Sequence, residues 1–256
     1  MKAKKRFGQN FLIDKNIINQ IADSIEATKD DLIVEIGPGR GALTKVLKEK
    51  GAHIICYEID RDMKAFLTTL EDEKTVVKYQ DILESDITAD INKIQYKNLY
   101  IVGNLPYYIT TAIIKNLISQ KLPIYNMIFM VQEEVADRFT SKPGSREYGS
   151  ITLYLKYYFN LSKLFSVGRK CFSPVPNVES AIIKLSKREE KPIVDETKYF
   201  QLISDSFKMK RKTLRNNLSN YNFEKIADVL NKYHLPLSSR AEELSEEVFI
   251  EISKVV

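Results

Sequence analysis

Between residues 32 and 185, short apolar runs alternate with amphipathic segments, and this alternation restricts the fold more than any other feature of the sequence. The apolar runs have the length of buried strands, and the first of them are separated by segments with helical periodicity. Buried strands joined by helices form a mainly parallel sheet with helices on both faces. The sequence therefore predicts a doubly wound α/β domain, with strands at residues 32–36, 54–57, 75–79, 99–102, 127–131 and 181–185.

The regions on either side of this alternation have different patterns. A basic arm, Met1 to Arg6, precedes it, and Asp14 can cap a first helix with an isoleucine stripe. The charged stretch 187–192 has the composition of a linker. Beyond it the chain has helical periodicity and no strand pattern at 199–207, 223–233 and 246–252. We therefore expect an α/β domain over residues 1–186 and a small all-helical domain over residues 187–256.

Composition excludes several classes of protein. The chain has 256 residues, of which 44% are hydrophobic and 29% are charged, as in a soluble globular protein. Its net charge of +5 raises the expectation of a nucleic-acid partner only slightly. No metal is expected, because the cysteines and histidines do not have metal-ligand spacing: they are Cys56, Cys171, His53 and His234. We expect two buried thiols in a reducing compartment, and a cytoplasmic protein, because we find no signal peptide and no membrane span.

A glycine-rich loop, Gly37-Pro38-Gly39-Arg40-Gly41, follows the first strand and opens a helix. Glycines there allow a tight turn and a close approach of a ligand to the backbone. The dinucleotide fingerprint G-x-G-x-x-G is not met, because the third glycine comes one residue early. With Glu35 two residues ahead, the loop resembles that of S-adenosylmethionine-binding proteins. We therefore assign Gly37 and Gly39 to a site for this cofactor.

Acidic residues also follow the next two strands. Glu58 ends the second strand about 20 residues further on, where a carboxylate can accept hydrogen bonds from both ribose hydroxyls. Asp60 is the better candidate for the cap of the next helix. Asp81 ends the third strand; taken alone it is more often a turn residue, but its place in the series favours a contact with the adenine amine. The predicted cofactor residues at these two strand ends are Glu58, Ile59, Asp81 and Ile82.

The segment Asn104-Leu105-Pro106-Tyr107 follows the fourth strand and is the most specific signal in the chain. Pro106 favours an extended Leu105, which can turn the Leu105 carbonyl into the site. That carbonyl and the Asn104 side-chain oxygen would accept the two hydrogens of an exocyclic amine such as N6 of adenine, and so direct its lone pair at a methyl donor. Tyr107 offers a ring for stacking of an extruded base, whereas Tyr108 could belong to the core.

Together these motifs resemble the ribosomal RNA adenine dimethyltransferase family over nearly the whole chain. The segment Phe7-Gly8-Gln9-Asn10-Phe11-Leu12-Ile13-Asp14 is similar to the family's N-terminal motif, 130–138 to its post-catalytic segment, and 172–180 to its F-x-P-x-P-x-V-x-S motif. The resemblance implies a Rossmann-like methyltransferase sheet, cofactor contacts from Asn10, Leu12 and Asn104, and stacking of Phe172 on the target base. On physical grounds alone, Phe172 is equally compatible with the core.

Two branches of the family compete. One dimethylates two adjacent adenines in the 3′-terminal hairpin of small-subunit rRNA, and the other dimethylates one large-subunit adenine and confers macrolide resistance. The asparagine-leucine-proline-tyrosine loop and the segment 207–218 resemble the first branch. A third reading is a ribosome-assembly factor that acts mainly by binding. The first branch implies a monomer that binds small-subunit rRNA within a pre-assembled subunit.

The segment 207–218 also contains a cluster of basic residues. On a helix they would present a positive face to RNA phosphates. A charge cluster is more often only a solvated face, but the neighbouring domain is expected to handle RNA. The predicted RNA-binding residues are therefore Lys208, Lys210, Arg211, Lys212 and Arg215.

Overall fold

The computed structural model describes Lys4 and residues 9–256. The predicted basic arm, except Lys4, and the first two residues of the N-terminal motif lie outside the described residues. The strands are β1 (Phe11–Leu12), β2 (Leu32–Ile36), β3 (His53–Tyr57), β4 (Thr75–Lys78), β5 (Leu99–Asn104), β6 (Ile124–Gln132), β7 (Phe159–Val167), β8 (Phe172–Ser173) and β9 (Ser180–Lys187).

Eleven α-helices occur within the described residues. They are α1 (Lys15–Asp23), α2 (Ala42–Lys48), α3 (Lys64–Leu67), α4 (Ile87–Ile91), α5 (Thr110–Ser119), α6 (Glu133–Thr140), α7 (Ser150–Tyr158), α8 (Glu196–Ser206), α9 (Leu214–Asn217), α10 (Phe223–Lys232) and α11 (Glu246–Val255).

Seven of the strands form one sheet in the order β4-β3-β2-β5-β6-β9-β7. The pairs β3–β4, β2–β3, β2–β5 and β5–β6 are parallel, and β9 pairs antiparallel with β6. Every residue of β2 is buried, which explains why four of its five residues are apolar. The predicted α/β sheet is confirmed, and so is the role of Asp14, whose side chain accepts from the backbone N–H groups of Asn16 and Ile17 at the start of α1.

The strand order reverses between β2 and β5. The chain runs from β2 outward through β3 and β4, and then returns to place β5 on the other side of β2. Open α/β sheets bind ligands at such a switch point, beyond the carboxyl ends of the strands. Because the glycine loop follows β2 and the Asn104 loop follows β5, the topology brings the two predicted loops to one crevice.

The chain divides into two compact units in a way that differs from the predicted domains. The first unit comprises 1–136 and 162–187, and the second comprises 137–161 and 188–256. The segment 137–161 belongs to the second unit because α7 supplies core side chains there. Leu153 and Tyr157 are buried with Leu202, and the Tyr157 ring lies 5.2 Å from that of Tyr199, centroid to centroid.

The second unit also holds residues 188–192 of the charged stretch that the sequence presents as a linker. Arg188 donates to the Lys156 carbonyl at 2.8 Å and to Glu246 Oε1 at 2.7 Å. Lys191 Nζ lies 4.5 Å from the centre of the Tyr157 ring, a cation–π contact. The stretch is therefore tied to the unit that follows it. The three predicted helices beyond it are confirmed as α8, α10 and α11.

Candidate active site

A cavity of about 690 Å³ lies in the first unit, beyond the carboxyl ends of the parallel strands. Its wall contains almost every residue that the sequence analysis assigned to the cofactor or to catalysis. These are Asn10, Leu12, Gly37, Gly39, Glu58, Ile59, Asp81, Ile82, Asn104, Leu105, Pro106 and Tyr107. Residues that are far apart in sequence therefore meet at one concave surface.

Glu58 lies against the glycine loop. Its Oε2 accepts from the Gly39 N–H at 3.0 Å, and its Oε1 accepts from the Asp60 N–H at 2.8 Å. The side chain is buried, and burial raises the pKa of this carboxyl, while the two backbone hydrogen bonds oppose the rise. Each carboxylate oxygen has a further lone pair, so Glu58 can still accept from hydroxyl groups in the cavity.

Asp60 has the capping role that the sequence predicts for it. It accepts from the Asp62 N–H at the start of a 3₁₀ turn, Arg61–Met63. It also accepts from Lys4 Nζ at 2.6 Å and from Gln9 Nε2 at 2.8 Å. Burial opposes ionisation, but these hydrogen bonds outweigh it and lower the pKa of Asp60. Asp60 thus ties the N-terminal segment to the end of β3.

The N-terminal segment also contacts the glycine loop, and its strand β1 pairs with β8. Gly39 has φ +57°, and a Cβ added there would lie 3.2 Å from the Phe11 ring. The Arg40 guanidinium lies 4.5 Å from the centre of the same ring. The strands β1 and β8 pair antiparallel, with Leu12 opposite Phe172. The segment is thereby held along the cavity wall.

Asp81 is a turn residue that also lies in the cavity wall. Its Oδ1 accepts from the Leu83 N–H at 2.9 Å and caps a 3₁₀ turn, Ile82–Glu84. It also lines the cavity, where its second carboxylate oxygen remains an acceptor. The turn therefore holds the carboxylate at the end of β4.

The Asn104 side chain is oriented by the N-terminal segment. Its Nδ2 donates to the Asn10 carbonyl at 3.0 Å. This bond uses one of the two Nδ2 hydrogens and fixes the orientation of the planar amide, which leaves Oδ1 as an acceptor at the cavity wall. This contact could not be predicted from the sequence, because a backbone carbonyl carries no sequence signal.

The rest of the loop is held by its own backbone. The Leu105 N–H donates to the Met130 carbonyl at 3.3 Å, and the Leu105 side chain is buried. The Pro106 carbonyl accepts from the Ile109 N–H at 3.1 Å and from Thr110 Oγ1 at 3.2 Å. Within the described residues no group donates to the Leu105 carbonyl, so it is available as a second acceptor.

The two tyrosines after Pro106 differ in environment. The Tyr107 hydroxyl is hydrogen-bonded to Ser180 Oγ at 2.6 Å, and Ser180 is fully buried at the start of β9. Tyr107 lines the cavity, and burial raises the pKa of its hydroxyl. Tyr108 is 66% exposed, so the expectation that it could be a core residue is wrong.

Phe172 is not part of the cavity wall, contrary to the expectation from the family resemblance. It is 1% exposed and packs in the core of the first unit, on the short strand β8. Pairing of β8 with β1 directs this ring into the core, which agrees with the alternative that physical reasoning left open. Phe172 therefore has no place in the site as the structure shows it.

Glu35, which precedes the glycine loop by two residues, is a buried carboxyl in the cavity wall. Thr44 Oγ1 donates to it at 2.7 Å. Burial raises the pKa of Glu35 to about 7, and hydrogen bonds from Thr44 and Cys56 oppose the rise. A buried, near-neutral carboxyl beside the glycine loop makes stability depend on pH.

Replacing Glu35 with glutamine should reveal this pH dependence. From its usual pKa of 4.5 up to about 7, the folded wild type retains a proton that the unfolded chain has released. Wild-type stability is therefore lost as pH rises through this window. The free energy of unfolding of wild type minus that of Glu35→Gln should fall by roughly 3 kcal/mol between pH 4 and pH 8. Urea titrations at both pH values measure it, and a constant difference would contradict the burial argument.

The basic cluster lies in the second unit and is not helical as a whole. Helix α8 ends at Ser206, and α9 begins at Leu214. Lys208, Lys210, Arg211 and Lys212 lie in the intervening loop, and only Arg215 is on α9; all five side chains are exposed. The prediction that these five residues share one face of a helix is therefore wrong, because the chain turns at residues 207–213.

Lys4 and residues 9–256 contain no group of three or more histidine, cysteine, aspartate or glutamate side chains that could hold a metal ion. In the same part of the chain, no helix has the length and apolarity needed to cross a membrane.

Comparisons with known proteins identify the family of this chain. A model of the ribosomal RNA adenine dimethylases matches residues 1–256. The "Ribosomal RNA small subunit methyltransferase A" of Geobacillus kaustophilus is 44% identical over 223 residues, which cover 85% of this chain and 76% of the relative. Its counterpart in Bacillus cereus is 39% identical over 267 residues, covering 99% and 91%. A dimethyladenosine transferase structure from Plasmodium falciparum superposes with a TM-score of 0.80 at 24% identity, over 94% of this chain and 95% of the other. This chain belongs to the ribosomal RNA adenine dimethylase family.

Proposed function

We propose that this protein transfers two methyl groups from S-adenosylmethionine to N6 of each of two adjacent adenines in the 3′-terminal hairpin of small-subunit (16S) rRNA. The orientation of Asn104 carries the proposal: with Nδ2 held by the Asn10 carbonyl at 3.0 Å, Oδ1 is an acceptor in the same cavity as the glycine loop. The names of the relatives, which specify the small subunit, support this choice over the large subunit.

The cavity fits S-adenosylmethionine. Its volume of about 690 Å³ falls within the range of roughly 300–1,000 Å³ for small-molecule sites. Glu58 can accept from ribose hydroxyls, Asp81 from the adenine amine, and the apolar Ile59 and Ile82 can cover the adenine faces. When bound, the cofactor supplies an electrophilic methyl group.

The protein residues act mainly by orientation. Adenine N6 is a weak nucleophile because its lone pair is delocalised into the ring. Asn104 Oδ1 and the Leu105 carbonyl accept its two hydrogens and favour a pyramidal nitrogen whose lone pair faces the methyl donor. The N–C bond forms as the methyl group leaves its carrier, and the cationic nitrogen then releases a proton to water. The monomethylated amine keeps one hydrogen, so Asn104 can also serve the second transfer.

In the proposed mechanism Tyr107 stacks on the extruded adenine. Two substitutions should distinguish the contribution of its ring from that of its hydroxyl. Tyr107→Ala should lower kcat/KM for rRNA by about 5-fold to 150-fold, the value of one base–aromatic stack. Tyr107→Phe retains the ring and loses only the Ser180 contact, so its loss should be below about 10-fold. Steady-state kinetics on undermethylated subunits measure both; equal losses in the two variants would exclude stacking as the role of Tyr107.

One experiment tests the substrate. The protein is incubated with labelled S-adenosylmethionine and separated, undermethylated small and large subunits, and the modified nucleotides are mapped. We expect dimethyladenosine at two adjacent positions of small-subunit rRNA. Label in the large subunit would instead favour a resistance methylase. Full rescue of a deletion strain's assembly defect by an Asn104 variant would indicate a role mainly in assembly.

We also propose that the exposed cations of the second unit bind rRNA phosphates, and that the substrate is a pre-assembled subunit. These cations are Lys208, Lys210, Arg211, Lys212 and Arg215. We propose further that the protein acts in the cytoplasm and that it is a monomer.

A further inference from the structure

Residues 207–213, here called the basic loop, join α8 to α9 and carry four exposed cations. They are Lys208, Lys210, Arg211 and Lys212. Like charges this close in sequence repel one another and favour an open, extended chain. A compact loop therefore needs contacts that oppose this repulsion.

Asn217 supplies such contacts from the last position of α9. Its Oδ1 accepts from the Met209 N–H at 2.9 Å, and its Nδ2 donates to the Met209 carbonyl at 3.2 Å. The same Nδ2 lies 3.5 Å from the Lys212 carbonyl and 3.4 Å from the Thr213 carbonyl. One side chain thus joins both ends of the stretch that carries three of the cations.

An asparagine suits this position because it has an acceptor and donors but no charge. Its support is rigid: Leu214 and Leu218, on either side of it in sequence, are fully buried in the core of the second unit. The Leu214 N–H also donates to the Ser239 carbonyl at 2.8 Å. Asn217 therefore joins the exposed loop to a helix that is anchored in the core of the second unit.

The cations that Asn217 gathers have no acidic partner among the described residues. The structure gives no ion pair to Lys210, Arg211 or Lys212 in that part of the chain. Elsewhere in the same unit, exposed lysines are paired, as Lys232 is with Glu251 at 3.2 Å. Unpaired cations held together by a neutral side chain form a surface for a polyanion.

We infer that Asn217 is a positioning residue for rRNA binding: it holds the basic loop in the form in which Lys210, Arg211 and Lys212 contact phosphates together. This inference rests on the proposed binding of rRNA by these cations. Asn217 touches no reacting group, and its effect is confined to affinity for RNA.

The test compares Asn217→Ala with Asn216→Ala, which removes the neighbouring exposed side chain and leaves the loop contacts intact. Hydrogen exchange of the loop amides is measured first, without RNA. Binding of undermethylated small subunits is then measured over a range of salt concentrations. We expect exchange at Met209 to be at least about 10-fold faster in Asn217→Ala, because its acceptor is lost. The slope of log K against log salt should fall by about 1 to 2, although no charge has been removed.

Kinetics add a second readout. In Asn217→Ala, KM for the subunit should rise about 10-fold while kcat and S-adenosylmethionine binding stay at wild-type values. Asn216→Ala should match wild type throughout. An unchanged salt slope, or faster exchange without weaker binding, would overturn the inference. If Asn217→Ala fails to fold, Asn217→Ser provides the same comparison, since its shorter hydroxyl cannot join both ends of the loop.

A charge variant separates this inference from the proposed function. Lys210→Gln, Arg211→Gln and Lys212→Gln are combined in one protein. Weak binding by this variant together with normal binding by Asn217→Ala would reject the positioning role of Asn217 but not rRNA binding by the loop. Wild-type binding by the charge variant would reject rRNA binding by the loop, and the inference with it.

Discussion

Asn104→Ala is expected to lower methyl transfer at least about 100-fold, the usual cost of losing one oriented group that acts on the transition state. Affinity for S-adenosylmethionine should change less than about 10-fold, because one hydrogen bond at most is lost there. Single-turnover methylation and calorimetric cofactor binding measure the two effects separately. Undiminished methyl incorporation would exclude the proposed role of Asn104.

Two further variants sharpen this result. Asn104→Asp retains the shape of the side chain but replaces the Nδ2 donor, 3.0 Å from the Asn10 carbonyl, with an oxygen that this carbonyl repels. We expect it also to be impaired, because the orientation is lost. Asn116→Ala is the matched control: Asn116 lies on α5, donates to the Leu83 carbonyl and does not line the cavity. Its transfer rate should equal that of wild type.

Gly103→Ala is expected to destabilise the protein by about 3 kcal/mol or more, through overpacking at a site that cannot relax. A Cβ at Gly103 would lie 2.5 Å from the Ile36 carbonyl oxygen, which is backbone of the adjacent strand. The two residues are paired in the register of β2 and β5, so neither strand can move without disrupting the sheet. Urea unfolding monitored by circular dichroism measures the loss.

Gly168→Ala is the control for this prediction. Gly168 has φ −66° and ψ 144°, which any residue adopts, and an added Cβ would come no closer than 3.9 Å to another group. Its free energy of unfolding should stay within about 0.5 kcal/mol of wild type. Equal stability of Gly103→Ala and Gly168→Ala would show that β2 and β5 can separate, and that their close approach does not position the two loops.

Most of the sheet could be predicted because its strands are local patterns. Four of the five residues in the run 32–36 are apolar, and all five are buried in β2. The strand β7 was missed, although alternate residues of Phe159–Val167 point inward. Its alternation is interrupted by Lys163, which pairs with Glu133, and by the exposed Leu164. The inward-facing Lys163 is explained only by its contact with a distant residue, so the alternation of apolar and polar residues that would have identified the strand is incomplete.

The segment 137–161 could not be assigned to its unit from the sequence. Its apolar pattern predicts burial but does not specify the partner. Leu153 packs in the core that includes residues of α8, beyond the charged stretch. The basic segment was likewise expected to present its cations on a helix, but the chain turns there, and Asn217 binds the backbone of Met209 within the turn.

By itself, the sequence determined the parallel sheet, the order of the loops at its carboxyl edge and the residue types of the site, since strand periods, glycines and caps are local properties of the chain. Only the tertiary structure decided how these residues act together. The contact of Asn104 with the Asn10 carbonyl, the burial of Phe172 and the raised pKa of Glu35 all arise from groups far apart in sequence. Orientation and desolvation depend on such groups, and no local pattern encodes them.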